Sequence, residues 1–312
     1  MKLTSKIKVI DKIYPKLFKN LESCTLCPRN CKVNRLKDEK GYCRQDKDLK
    51  VYSSFLHLGE EPPISGKRGS GTIFFSGCSL RCVYCQNYKF SQLDSGKIVE
   101  EEKLAKIMLD LEKKGAQNIN LVTPTHFLPQ ILAALRIALE SGLNLPIIYN
   151  SSGYEKKEIV ELIEPLIDCW LLDFKYISPK IAKKYSNSPQ YPVYIKKTCQ
   201  YLYQSQKTQN KLNTGEIPPI IIRHLVLPNH IQESRAILHW ISKNTPKIPI
   251  SVMSQYQPYF KAKNYSQINR SLNHSEYHKI KETIEKLDLD GWFQEFKPKE
   301  SLAGVYLKEN HK

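Results

Sequence analysis

The sequence predicts an α/β protein, a partial (β/α)6 TIM-like barrel preceded by a small N-terminal cysteine-rich module. Three observations carry that expectation. Apolar runs of strand length recur six times after residue 70, helical segments separate most of them, and seven of the nine cysteines fall before residue 86. Continuous apolar runs mark strands buried on both faces. Strands alternating with helices imply a parallel sheet with right-handed crossovers. Eight β/α units would close a full barrel, whereas six leave it open.

In chain order, residues 1–58 read as the cysteine-rich metal-binding module. The stretch Gly59-Glu-Glu-Pro-Pro-Ile-Ser-Gly66 links it to a barrel domain at 59–312. Strands are predicted at 72–76, 118–122, 145–149, 169–174, 219–225 and 248–253. The clearest helix spans 99–114, where Leu104, Ile107, Met108 and Leu111 share one face and Gly115 ends it. Further helices are predicted at 129–141, 155–167 and 231–243. The polar region 190–216 has no clear element, and 275–296 reads as a helix followed by an edge strand.

A chain of 312 residues with 41% hydrophobic content can bury a real core, which excludes a disulfide-stapled mini-protein, a collagen and a disordered chain. It has no apolar run of about eighteen residues and no apolar signal-like start, so a cytoplasmic protein without membrane spans is expected. In that reducing compartment cysteines serve metals or catalysis more often than disulfides. The net charge is +17, but only nine of the 48 basic residues are Arg. The lysines are scattered, as at Lys113-Lys114 and Lys196-Lys197. That pattern reads as a solvated surface; nucleic acid or an acidic protein partner is the alternative.

The sharpest motif is Gly77-Cys78-Ser-Leu-Arg-Cys82-Val-Tyr-Cys85-Gln-Asn87. Its C-x3-C-x2-C spacing follows a buried strand, so three thiolates can converge on one metal centre. Thiolates suit Fe–S clusters and zinc. Three ligands on a cubane leave one iron open for a small molecule. A second group, Cys24, Cys27, Cys31 and Cys43, has the spacing of a tetrahedral clamp. It suits either zinc or a second Fe–S cluster. Cys169 and Cys199 read as small buried hydrophobes, His57 and His126 as structural histidines, and Glu60 and Glu61 as solvated loop charges, with substrate-facing acids as the alternative.

Ligands of parallel α/β folds gather at the carboxyl ends of strands. Those ends are polar here: Thr123-Pro-Thr-His126, Asn150-Ser-Ser-Gly153, Asp173-Phe-Lys175, Arg223-His224 and Ser254-Gln-Tyr256.

On the cysteine motif, the chain resembles the radical S-adenosylmethionine (SAM) enzymes. The resemblance implies that Cys78, Cys82 and Cys85 hold a [4Fe-4S] cluster whose open iron binds S-adenosylmethionine. It also implies reductive cleavage to a 5′-deoxyadenosyl radical, and Tyr84 beside the adenine. The later segments Cys169-Trp-Leu-Leu-Asp-Phe-Lys175 and Ile222-Arg-His-Leu-Val-Leu-Pro-Asn229 are similar to those of glycyl-radical-enzyme activating enzymes, the branch of pyruvate formate-lyase activase. By that likeness Lys175 and Arg223 contact S-adenosylmethionine and Asp173 helps bind a monovalent cation. Asn150 and Ser152 stand where the activases carry an acid and then Thr-Asn-Gly. Thr123 and Thr125 stand in place of their Gly-Gly-Glu, as the cofactor contacts of that loop. The resemblance covers nearly the whole chain, through landmarks such as Leu56-His-Leu-Gly-Glu-Glu-Pro-Pro63 and Ser251-Val-Met-Ser-Gln-Tyr-Gln-Pro258. It implies an oxidoreductase that abstracts hydrogen from a protein partner such as a glycyl-radical enzyme, with flavodoxin or ferredoxin as electron donor. The alternatives are radical modification of RNA or a small molecule, and a non-catalytic zinc or Fe–S binding module.

Overall fold

A computed structural model describes residues 3–208 and 217–296. The chain divides into two compact units, one of residues 1–79 with 89–171 and one of 80–88 with 172–312.

Unit one opens with helix α1 (Leu3–Lys19), whose Ile10, Ile13 and Leu17 form one buried stripe. Strand β1 (Lys50–His57) follows the cysteine segment, then the short helix α2 (Pro62–Ser65) and β2 (Ser70–Phe75). Next come the short helix α3 (Tyr88–Ser91), which begins in unit two's segment, and β3 (Lys97–Ile98). Then α4 (Glu101–Lys113), β4 (Ile119–Val122), α5 (Leu128–Glu140), β5 (Ile147–Ser151), α6 (Lys157–Ile163) and β6 (Cys169–Asp173) alternate. The strand order is β3-β1-β2-β4-β5-β6. β2, β4 and β5 are parallel, whereas β1 runs antiparallel to β2 and β3 antiparallel to β1.

The last residues of β6 belong to unit two, which continues with α7 (Pro179–Ser186), α8 (Tyr191–Thr208), β7 (Ile220–Leu225), α9 (Ile231–Asn244), β8 (Ile250–Met253), α10 (His274–Lys286) and β9 (Gly291–Phe293). Its order is β6-β7-β8-β9, with β7, β8 and β9 parallel. Ser178 caps α7 through the Ile181 N–H, and Asn273 with Glu276 forms a reciprocal cap on α10.

All six predicted strands are present, and the expected edge strand is β9. The third begins at Ile147, two residues later than expected. Pro146 has no N–H to give the ladder and offers its carbonyl to Ile119 instead (2.9 Å). Asn150 and Ser151 therefore lie within β5. The helix expected at 155–167 is shorter: α6 stops at Ile163, and a 3-10 turn carries Glu164–Leu166 around Pro165. The region 190–216 contains α8, and residues 209–216 lie outside the described part. The sequence reading missed α1, the short helices α2, α3 and α7, and the antiparallel strands β1 and β3.

Strand parity places the polar residues. A Cβ on Gly71 would stand 3.3 Å from Leu111 of α4 and 2.6 Å from the Asn118 carbonyl. That side of β2 therefore presses on the helix layer and admits only glycine there. Thr72 and its register partner Asn120 face the other way, and so does Asn150, two residues along β5 from Ile148, the partner of Asn120. Among the described residues, no helix is long and apolar enough to cross a membrane.

Candidate functional site

The cysteine loop leaves β2 through Ser76 and Gly77. The His126 ring Nε2 bonds the Ser76 carbonyl (2.6 Å), and Gly77 N–H bonds Phe90 O (2.9 Å). Burial drives His126 down to a pKa of about 3, so the ring is neutral and its Nε2–H can serve as donor. His126 is thus structural, as expected. Cys78 belongs to unit one, and Cys82 and Cys85 to unit two.

In unit two, Cys82 is buried and its Sγ accepts the Ser186 hydroxyl at 3.1 Å. The Cys85 N–H bonds Cys82 O, and Val83 is pinned by backbone bonds to Tyr185 and Lys261. Tyr84 is buried, with Tyr176, Tyr185 and Tyr256 edge-on around its ring at centroid distances of 6.4, 6.2 and 5.8 Å. Burial pushes its phenol well above the ordinary value.

The end of β6 and the middle of β7 supply a charged cluster in the same unit. Lys175 Nζ donates to Asp173 Oδ2 at 2.8 Å, and Arg223 Nε to Asp173 Oδ1 at 2.8 Å. The Tyr191 hydroxyl donates to Asp173 O (2.6 Å) and accepts from Lys175 N–H (2.9 Å), which fixes the strand end. Burial alone would raise the Asp173 carboxyl, but Arg223 and Lys175 outweigh it and hold it below its usual range. Burial opposes the Lys175 ammonium, yet Asp173 and the sulfurs of Cys82 and Cys85 hold its pKa above normal. Two cations thus flank one carboxylate, each on its own oxygen.

In unit one, Thr123 adopts a left-handed backbone (φ 59°) and its N–H bonds Asn150 O (2.8 Å). Thr125 is buried. Its hydroxyl donates to Glu155 Oε1 (2.7 Å) and accepts from the Tyr149 hydroxyl (3.1 Å). The Ser151 hydroxyl also donates to Glu155 (2.7 Å). Ser152 is half-buried between Ser151 and Gly153. Burial lifts the Glu155 carboxyl to a pKa of about 7, against the pull of these hydroxyls.

The Asn150 amide approaches Glu60 Oε1 at 3.5 Å, and the Asn120 amide nitrogen donates to that oxygen at 3.1 Å. The Glu60 side chain is only 9% exposed and Glu61 is buried. This corrects the expectation of solvated loop charges: Pro62 and Pro63 start α2, and the preceding turn tucks both acids inward. Asn120 must turn its nitrogen to the carboxylate, so its Oδ1 is left buried without a partner. The sequence did not single out Glu155 or Asn120. The one available signal was an Asn inside the apolar run Ile119–Val122.

None of the nine cysteines is in a disulfide, and Cys169 and Cys199 are buried as expected. Around the N-terminal group, Cys24 N–H bonds Val33 O and Lys32 N–H bonds Cys24 O (both 2.9 Å), closing a tight loop. Tyr42 N–H reaches Cys31 Sγ at 3.3 Å. Burial raises the Cys27 thiol pKa well above normal and the Cys43 thiol to about 11, and the other module thiols raise both further. The four thiols stand within electrostatic reach of one another. Among the described residues, no three His, Cys, Asp or Glu side chains form a ready-made metal cage.

The family model described as the radical SAM superfamily matches residues 72–239. An uncharacterized protein of Methanocaldococcus jannaschii, MJ0674, is 34% identical over 284 residues, which covers 88% of this chain and 77% of that protein. The putative glycyl-radical enzyme activating enzyme MJ1227 of the same organism is 33% identical over 113 residues, 35% of this chain and 44% of the relative. Among solved structures, Streptococcus suis SuiB bound to S-adenosylmethionine aligns with a TM-score of 0.50 at 13% identity. That alignment covers 75% of this chain and 51% of SuiB, so the chain spans about half of SuiB's length, and the likeness is one of fold.

Proposed function

Because the chain belongs to the radical SAM superfamily, we propose that it reductively cleaves S-adenosylmethionine and abstracts hydrogen from a protein partner, a glycyl-radical enzyme being the substrate class. The observation that carries the chemistry is the part-buried Asp173–Lys175–Arg223 cluster, with the Lys175 ammonium held in the field of the Cys82 and Cys85 sulfurs. Positive charge beside thiols is what an anionic cluster and an amino-acid carboxylate require.

Cys78, Cys82 and Cys85 are the ligands of a [4Fe-4S] cluster in this reading. The donor set fits: three cysteines within eight residues of one loop, two of them within electrostatic reach of the part-buried Lys175 ammonium. When bound, the cluster supplies the low-potential electron that cleaves the cofactor to a 5′-deoxyadenosyl radical. Lys175 and Arg223 hold the carboxylate of S-adenosylmethionine, and Asp173 orients both. Tyr84 lies by the adenine. In unit one, Thr123, Asn150 and Ser152 are cofactor contacts. Thr125 joins them through the one lone pair that Glu155 and Tyr149 leave on its hydroxyl. Cys24, Cys27, Cys31 and Cys43 hold a second metal, zinc or Fe–S. The protein partner is supported by the stretch shared with MJ1227, and in this reading the enzyme works in a reducing cytoplasm, where flavodoxin or ferredoxin supplies electrons.

The test is iron, sulfide and zinc per chain on anaerobically reconstituted protein, for the wild type and the Cys78/Cys82/Cys85→Ala variant. The expected result is loss of about four irons in the variant, together with its loss of dithionite-driven 5′-deoxyadenosine formation. The metal that remains identifies the N-terminal centre. Wild type that holds zinc and no iron after reconstitution would instead be a non-catalytic binding module.

A further inference from the structure

The N-terminal cysteine segment touches the catalytic loop on both sides of Cys78. On one side, the Arg29 side chain donates through Nε to Ser79 O at 2.8 Å. Arg29 is itself tied to the module: its backbone N–H bonds the Cys27 thiol, and its guanidinium lies 3.7 Å over the Tyr42 ring. Tyr42 in turn bonds Cys31 Sγ through its backbone N–H. Both partners of this cation–π pair therefore hang on module sulfurs.

On the other side, Gly77 has a left-handed backbone (φ 84°). A Cβ there would stand 2.6 Å from Gln45 Cγ and 2.7 Å from Cys43 O. The Gln45 backbone N–H bonds the Cys43 thiol, and its side chain is anchored on Asp94 (2.7 Å). One arm thus runs from Cys27 through Arg29 to Ser79, and a second from Cys43 through Gln45 to Gly77.

We propose that the N-terminal cysteine module positions the catalytic cluster loop, with Arg29 and Gln45 as positioning residues that transmit the state of the module sulfurs to Cys78. This rests on the cluster reading above. The physical basis is the N–H···S bond, which is stronger to a metal-bound thiolate than to a neutral thiol because the acceptor carries charge. Loading the module therefore stiffens Arg29, Tyr42 and Gln45, and with them the backbone on either side of Cys78. A clamp that served only to fold the N-terminus would have no need to reach residues 77 and 79.

The experiment uses full-length, anaerobically reconstituted wild type, Arg29→Ala, Arg29→Lys, Gln45→Ala and Cys27→Ser. It measures iron and zinc content, the electron paramagnetic resonance spectrum of the reduced cluster with and without S-adenosylmethionine, its midpoint potential, and 5′-deoxyadenosine formation. Arg29→Ala is expected to keep both metals, to shift the spectrum and the potential, and to cleave cofactor roughly tenfold more slowly. Arg29→Lys, which can still donate to Ser79 O, recovers part of each change. Cys27→Ser reproduces the spectral shift although it removes no ligand of the catalytic cluster. If Arg29→Ala folds poorly by circular dichroism, Gln45→Ala reads the second arm by the same criteria. Spectra and potentials identical to wild type overturn the inference while wild-type cleavage leaves the reading beneath it standing. Wild type without iron overturns that reading instead.

Discussion

Lys175 Nζ and Asp173 Oδ2 lie 2.8 Å apart, two residues along one strand end, and Arg223 takes the other carboxylate oxygen at the same distance. One part-buried anion thus aligns two cations that come from different strands. Lys175→Met should weaken S-adenosylmethionine binding about tenfold or more, the loss expected for one hydrogen bond to a charged group. Equilibrium dialysis on the anaerobic holoenzyme measures it, and an unchanged affinity would remove Lys175 from the cofactor site.

Asp173→Ala leaves Lys175 and Arg223, both part-buried, without their shared anion. Losing the partner of a part-buried charge costs about 1–3 kcal/mol, so a clear drop in the denaturant midpoint is expected. Arg223→Met should cost less, because Asp173 keeps Lys175. Equal midpoints for the two variants would mean that the cluster is open to water.

Glu155 makes a pH prediction. Its carboxyl titrates at about 7 in the folded protein against 4.5 for the free group. The folded state therefore binds more protons between these values. The stabilisation is fully present below about pH 4.5 and is lost as pH rises through about 7. A shift of this size corresponds to about 3 kcal/mol. Urea midpoints of wild type and Glu155→Gln at pH 5 and pH 8 measure it. The wild type should lose more stability across that interval than the variant, and parallel curves would contradict the assignment.

Gly77→Ala should destabilise the loop by about 1–3 kcal/mol, since it combines a left-handed backbone with a contact too close to Cys43 O. Reduced iron loading together with a lowered thermal midpoint is the expected result. Native values for both would show that the loop can shift.

Glu60→Leu strands the Asn120 amide nitrogen beside an oxygen that already lacks a partner. An unsatisfied buried donor costs about 1–3 kcal/mol. The double change Glu60→Leu with Asn120→Leu should recover part of it, and a double-mutant cycle on unfolding reads the coupling.

The strands, the cysteine loop and the strand-end polar groups were legible because each is written in neighbouring residues. Apolar runs of four to six residues have no other reading between helices, and ligand spacing within one loop is a local property. The strand end at Asn150 was misplaced because Pro146 delays the ladder. β1 was missed because its Tyr and Phe sit beside the cysteine segment and it pairs antiparallel, outside the β/α rhythm.

The sequence alone determined the spacing of Cys78, Cys82 and Cys85 on one loop and the order of the six β/α units, since both are local properties of spacing and periodicity. Only the tertiary structure decided which charges meet. Arg29 reaches Ser79, Glu60 reaches Asn120 and Arg223 reaches Asp173 across fifty or more residues of chain. No local pattern specifies such pairs. They exist because packing excludes water, and a buried polar group must then find a partner that the fold, not its neighbours in sequence, brings to it.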